Sequence, residues 1–286
     1  MRTIKKIHKA AYAPIADLVT YRALPTDSMP MGALDPFLFL NHHGPQVYKP
    51  KNQGLPFGPH PHRGFETVTF ILEGDIMHKD TGGHESIIDA GGIQWMTAGS
   101  GLIHAEISSD TFKAQGGPLE ILQLWLNLPA QHKMTAPHYV GLQKEEIPNL
   151  SLDNGKVNVH LVAGNWGDTV APIQSFTNLL LSWITFQAGG ELKLQVPTAD
   201  TIFLYVVRGE LNINGQTIPA LNLVEFANDD ENLDIQASTD SIILFGHGQP
   251  FNEPIVAYGP FVMNTEDEIQ QAYQDYQHGK FGTWKG

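Results

Sequence analysis

The chain has 286 residues, a length for one large domain or two medium ones, and its 42% hydrophobic against 16% charged residues describe a globular protein rather than a disordered one. It contains no cysteine, which excludes disulfides, zinc ribbons, iron–sulfur clusters and thiol nucleophiles and leaves His, Asp and Glu to hold any metal. The net charge is −13, from 30 acidic against 17 basic residues with no basic cluster beyond the N-terminal one, which argues against direct binding to nucleic acid.

Met1-Arg2-Thr3-Ile4-Lys5-Lys6-Ile7-His8 is basic but leads into no apolar run of signal-peptide length, and no later stretch is long enough to cross a bilayer. A cytoplasmic protein without membrane contact is expected. Phe37 to Leu40 reads as a strand closed by a turn at His42-His43. Period-two runs follow at Glu66 to Leu72, Leu119 to Leu128, Val157 to Val162, Leu179 to Phe186, Ile202 to Val207 and Ile242 to Phe245, each bounded by Gly, Pro, Asn or Asp. With Gly-rich turns such as Thr81-Gly82-Gly83 and Asn214-Gly215, the pattern predicts an all-β sandwich or barrel. Only the C-terminus differs. There Thr265-Glu266-Asp267-Glu268 has a capping-box pattern, and Ile269, Ala272, Tyr273 and Tyr276 recur at helical spacing up to Gly279.

Laying Gly74 on Gly209 aligns Val68 to Ile76 with Phe203 to Leu211, a strand, a turn glycine and an acid in each half. A duplicated barrel follows, with the turn residues between Pro148 and Gly155 as the boundary. The N-terminal barrel is expected over 1–148 and the C-terminal barrel, ending in the helix, over 149–286.

The candidate ligands are densest at Gly58-Pro59-His60-Pro61-His62-Arg63-Gly64-Phe65-Glu66. Residues two apart on a strand point to one face, so His60 and His62 form a chelating pair. Pro61 lacks a backbone donor and favours a strand start or edge. His104 and Glu106 are again two apart, and two such strands facing each other inside a barrel would join three imidazole nitrogens to one carboxylate. That donor set suits Fe(II), Mn, Ni, Cu or Zn rather than Ca or Mg, with Fe(II) the first expectation. The second half has no histidine between His160 and His247, and the repeat alignment puts Gln195 and Pro197 where His60 and His62 stand. Its barrel is expected to hold no metal. His78 and His84 flank a hairpin and read as surface histidines, while Trp95, Met96 and Trp125 read as barrel core. Gly99-Ser100-Gly101 lacks the glycine two residues before the serine that a nucleophile elbow needs.

His60-x-His62 with Glu66, the Gly-rich turn and His104 resemble the two cupin motifs. More specifically, Asp35 to Leu40, His60 to Val68, Gln94 to Gly99, His104-Ala105-Glu106, Gln123 to Pro129 and Gly259 to Thr265 resemble the pirins over nearly the whole chain. The resemblance implies two cupin-type (jelly-roll) β-barrels face to face with a short C-terminal helix. It also implies one metal in the N-terminal barrel on His60, His62, His104 and Glu106, with Glu66 outside the ligand set. Resemblance to bacterial pirins implies a dioxygenase that opens a flavonol such as quercetin with O2, in which Glu106 is the candidate base. The alternative it implies is a metal-dependent transcriptional cofactor or redox sensor working through a protein partner. Two packed barrels already make a compact body, so a monomer is expected.

Overall fold

In the computed structural model, which describes residues 1–285, the chain is dominated by antiparallel strands and divides into two compact units. The first unit comprises Tyr12–Tyr21, Leu38–Glu145 and the C-terminal segment from Asn252. The second comprises Met1–Ala11, Arg22–Phe37 and Glu146–Phe251. The main passage between units therefore falls near the expected boundary, but both chain ends lie elsewhere than a division at residue 148 puts them. Local bonding explains each exchange. Ile4–Lys9 pairs with Asn222–Phe226 of the second unit, and the fully buried Arg2 donates to the carbonyls of Ala227, Pro197 and Asp200. At the other end, Ile269 and Ala272 of the C-terminal helix join Phe261, Met263 and Phe281 in a cluster that packs on Ile103, and Asp275 of the helix pairs with Arg63.

Each unit is one barrel made of a seven-stranded and a four-stranded sheet. In the first, the larger sheet runs His138–Leu142, Ile93–Thr97, Phe65–Glu73, Gly117–Asn127, Phe37–Tyr48, Thr20–Leu24, Ala11–Tyr12. Its smaller sheet runs Phe57–His62, Leu102–Ile107, Asp75–Asp80, Glu85–Asp89. The second unit repeats this order with Ile4–Lys9, Asn222–Phe226, Thr201–Arg208, Ser241–Gly248, Leu179–Phe186, Val157–Ala163, Asn149–Leu152, and with Glu191–Gln195, Asn232–Ala237, Glu210–Ile213, Gln216–Pro219.

The registers repeat as well. Ile71 faces Ile121 and Glu73 faces Glu120 across a bulge; Val206 faces Ile243 and Arg208 faces Ile242 across another. With Gly74 on Gly209, both the pairing and the irregularity coincide, which chance resemblance between strand-turn patterns does not produce. Gly74 and Gly209 share a left-handed backbone, φ +85 and +81, that a side chain resists, so glycine marks the same turn in both barrels.

The expected strands form, as does the Asn214-Gly215 hairpin turn. The terminal helix spans Glu266–Gln277 with a complete capping box: Thr265 Oγ1 accepts from the Glu268 N–H, and the Glu268 carboxylate accepts from the Thr265 N–H at 2.9 Å. A helix not expected from the sequence, Asp110–Gln115, is capped by Ser109, whose Oγ accepts from the Phe112 N–H. Two side-chain expectations are corrected. His42 and His43 lie inside the Phe37–Tyr48 strand, buried, not in a turn: His42 Nε2 meets Glu120 at 2.8 Å and His43 Nδ1 meets Thr20 Oγ1 at 2.8 Å. Among the described residues no helix is long and apolar enough to cross a membrane.

Candidate metal centre

Three of the four expected ligands converge in the first barrel. His60 and His62 point the same way from Phe57–His62, and His104 stands opposite His60 on Leu102–Ile107. Their ring centroids are 4.4 Å (His60–His104), 4.8 Å (His60–His62) and 5.0 Å (His62–His104) apart, and one nitrogen from each lies within 4.8 Å of the others.

The chain fixes which nitrogens face inward. His60 Nδ1 lies 2.7 Å from the Gly58 carbonyl and His62 Nδ1 lies 3.2 Å from the Pro260 carbonyl. A carbonyl only accepts, so each Nδ1 carries a proton, and Nε2 is the nitrogen whose lone pair the neutral ring would offer a metal. Burial and the neighbouring His60 push His62 down to about 3, and burial with His62 and His60 holds His104 well below 6.5, so both imidazoles are neutral at pH 7. Both ring nitrogens of the buried His104 lack a hydrogen-bond partner in the protein. Leaving two polar atoms buried and unpaired is costly, and a cation at the cluster would satisfy one of them. The residues present therefore fit a transition metal held by imidazole.

Glu106 stands apart from this cluster. It follows His104 on the same strand, but the pairing with Phe57–His62 is irregular between them, and its carboxylate is held from the larger sheet. Thr69 Oγ1 donates to one oxygen at 2.7 Å and Gln123 Nε2 to the other. Glu66 is likewise outside the cluster, buried, and accepts from Thr97 Oγ1 at 2.7 Å.

Sequence reasoning missed several neighbours. His78 is not a surface residue: it is 1% exposed, bonds Asp80 at 2.9 Å, stacks on Tyr139 at 3.8 Å and approaches His104 at 5.5 Å. Tyr139 in turn bonds Ser86, and burial pushes its hydroxyl well above the usual range. His78-x-Asp80 has the same two-residue spacing as the ligand pairs, a signal that went unused; Tyr139 had none. Trp95 and Met96 are core as expected, but Trp125 lines the site. It stacks between Phe39 and Phe65, 4.4 Å from each, with its edge to His62, and its buried indole N–H has no partner in the protein.

Below His62 the strand is locked in place. Arg63 bonds Asp275 of the terminal helix at 2.9 Å, donates to the Ser100 carbonyl and lies over the Phe281 ring. Gly64 has φ +87, and a Cβ there would sit 2.0 Å from the Val262 carbonyl oxygen. A helix 200 residues away in sequence thereby braces the ligand strand.

The second barrel replaces this chemistry with hydrocarbon. Glu106 faces His78 in the first barrel as Ile235 faces Ile213 in the second, and His104 faces His60 as Leu233 faces Leu194. The structural counterparts of His60, His62, His104 and Glu106 are therefore Leu194, Val196, Leu233 and Ile235. The sequence alignment, which gave Gln195 and Pro197, was one residue out of register. Thr69 and Gln123 correspond by the same pairing to Leu204 and Phe245. Val196, Leu204, Leu233, Ile235 and Phe245 belong to one buried apolar cluster.

Comparison with known proteins places these features in a family. The Pirin family profile matches residues 18–126, and the Pirin C-terminal cupin domain matches residues 182–282. A Pseudomonas aeruginosa protein named "Putative quercetin 2,3-dioxygenase" is 36% identical over 268 residues, 94% of this chain and 92% of that one. A pirin-like protein of Solanum lycopersicum is 39% identical over 87% of this chain and 82% of its own length. Among solved structures, a quercetin 2,3-dioxygenase from Acinetobacter baumannii superposes with a TM-score of 0.93 at 33% identity, covering 99% of both chains.

Proposed function

This chain belongs to the pirin family of the cupin superfamily, and we propose that its first barrel is a metal-dependent dioxygenase centre that opens a flavonol such as quercetin with O2. The observation that carries this reading is the convergence of three imidazoles, two with their outer nitrogens fixed by carbonyls, and on the same strand as one of them a buried carboxylate that two neutral donors hold ready. His60, His62 and His104 hold the ion, Fe(II) by first expectation, with Mn, Ni, Cu or Zn as alternatives. When bound, such an ion supplies a Lewis acid that lowers the pKa of a hydroxyl in contact with it.

The chain's own groups do the rest. Glu106, the fourth expected ligand, is the base for the flavonol hydroxyl, since Thr69 and Gln123 fix its oxygens without neutralising them and leave each oxygen a further lone pair. Phe39 and Phe65 pack against Trp125 and hold its ring beside His62, and the unpartnered Trp125 N–H is a donor for a substrate oxygen. His78, oriented by Asp80 and stacked on Tyr139, fixes the wall beside His104.

The test is oxygen uptake by protein of measured metal content, loaded anaerobically with Fe(II), Mn, Ni or Cu in turn and given quercetin. Metal-dependent uptake with release of carbon monoxide is expected, and His62→Ala should lose both metal and turnover. A fully occupied centre that consumes no oxygen, or turnover that persists in metal-free protein, refutes the assignment.

A further inference from the structure

We propose that the second barrel holds a metal-independent binding site for a neutral phenol, in which His247 accepts a hydrogen bond from the ring hydroxyl. A cavity of about 580 Å³, within the size range of small-molecule sites, stands at the counterpart of the metal centre. Leu194 and Val196 line it in the places of His60 and His62, and Phe245 in that of Gln123. One replacement runs against this drift toward hydrocarbon. His247 faces Ile202 as Trp125 faces Thr67, so it takes the position of the tryptophan, and Asp200 precedes Thr201 as Phe65 precedes Glu66. The aromatic pair of the first barrel, with ring centroids 4.4 Å apart, is thus exchanged for a hydrogen-bonded pair, Asp200 Oδ2 with His247 Nδ1 at 2.7 Å. The acid is held in place from behind. The fully buried Arg2 donates to the carbonyls of Pro197 and Asp200, and the Asp200 N–H donates to the Pro197 carbonyl at 3.0 Å, closing the turn that carries it.

This pairing decides what the cavity recognises. A carboxylate only accepts, so His247 Nδ1 carries a proton and the neutral ring offers Nε2 as an acceptor, which has no partner among the described residues. The ring is partly exposed and lines the cavity. Charged ligands find no match there. No acidic side chain lines the cavity to pair with a cation, and Asp200 behind the ring opposes an anion. Lys193 does not offset this, because burial alternates along Glu191–Gln195 and sets it exposed opposite Asp234 while Leu192 faces inward. What remains is one acceptor beside apolar surface from Leu180, Leu192, Val196 and Phe245, with Trp166 of the Asn165–Trp166 and Thr169–Val170 hairpin packed on the same cluster. Such a site selects an uncharged apolar body that carries one strong donor. A phenol meets it better than an aliphatic alcohol, because its hydroxyl is the more acidic of the two.

The experiment is calorimetric titration of the full protein, first chelated and then loaded with Zn(II), with methyl 4-hydroxybenzoate and with methyl 4-methoxybenzoate as the control that lacks the donor. The phenol should bind the chelated protein about tenfold more tightly than the ether, the weight of one hydrogen bond, and Zn(II) should leave that affinity unchanged. His247→Phe, which puts an aromatic ring where the first barrel has Trp125, should erase the preference and leave the weaker ether binding in place. In the unsubstituted protein the nitrogen NMR resonance of His247 Nε2 should move with the phenol and not with the ether, while the methyl resonances of Leu180 and Leu192 move with both. The proposal is overturned by an absence of binding at millimolar phenol, by equal affinity for the ether, by a His247 resonance indifferent to the phenol, by a preference that survives His247→Phe, or by binding that requires the metal.

Discussion

The neutral, buried state of His62 makes a sharp prediction about acid stability. In the unfolded chain its imidazole takes up a proton near pH 6.5, whereas in the folded protein burial and the neighbouring His60 delay this to about 3. Between those values the unfolded state binds the extra proton, so stability rises with pH through the window and is lost as pH falls through it. Each pH unit in the window is worth about 1.4 kcal/mol for one such group. Between pH 6.5 and 4.5 the metal-free protein should therefore lose about 2 kcal/mol through His62 alone, because the unfolded group is already half protonated at the upper end. His62→Leu removes this titration while keeping an apolar side chain in the apolar surroundings of Phe65 and Trp125. Urea unfolding of both proteins in the presence of a chelator, at half-unit steps from pH 7.5 to 4.5, measures the difference. The native curve should fall by about 2 kcal/mol more than the variant's across the two units below pH 6.5. Parallel curves would mean that His62 is hydrated or already paired in solution, and the case for a preformed, lone-pair-bearing ligand set would fail with them.

Three further outcomes follow from the site's surroundings. Glu106→Gln should retain the metal, because the three histidines are untouched, yet lower oxygen uptake with quercetin by about a hundredfold or more; metal analysis beside the oxygen electrode separates the two effects. Asp275→Asn strips the buried Arg63 of its charge partner and should lower stability by about 2–4 kcal/mol, read as a drop in the denaturant midpoint at unchanged slope. Gly64→Ala forces a Cβ against the Val262 carbonyl at a left-handed φ, and should cost about 3 kcal/mol or more and depress metal occupancy, since His62 is two residues away; full occupancy with native stability would contradict it.

Local periodicity determined much of this protein. His60 and His62, and His104 and Glu106, were legible as pairs because a strand repeats every two residues, and the helix start at Thr265 was legible because capping is chemistry between residues three apart. The duplication, too, was visible at Gly74 and Gly209, where the backbone demands glycine. What remained hidden depends on pairing across sheets. Thr69 and Gln123 reach Glu106 from strands distant in sequence, and no spacing within Leu102–Ile107 reveals that the carboxylate is already held. The one-residue error that put Gln195 and Pro197 in place of Leu194 and Val196 arose because a loop changes length between the repeats; only hydrogen-bond register corrects it, and one residue turns every side chain to the other face. His42 read as part of a turn and His78 as a surface histidine until Glu120 and Asp80 were brought beside them. The sequence alone thus determined which residues share a face, because that is decided by the backbone's own repeat. Only the tertiary structure decided which faces meet, that the Ile4–Lys9 strand belongs with the second barrel and that the terminal helix braces the first, because those choices are made by contacts between segments that the chain order keeps apart.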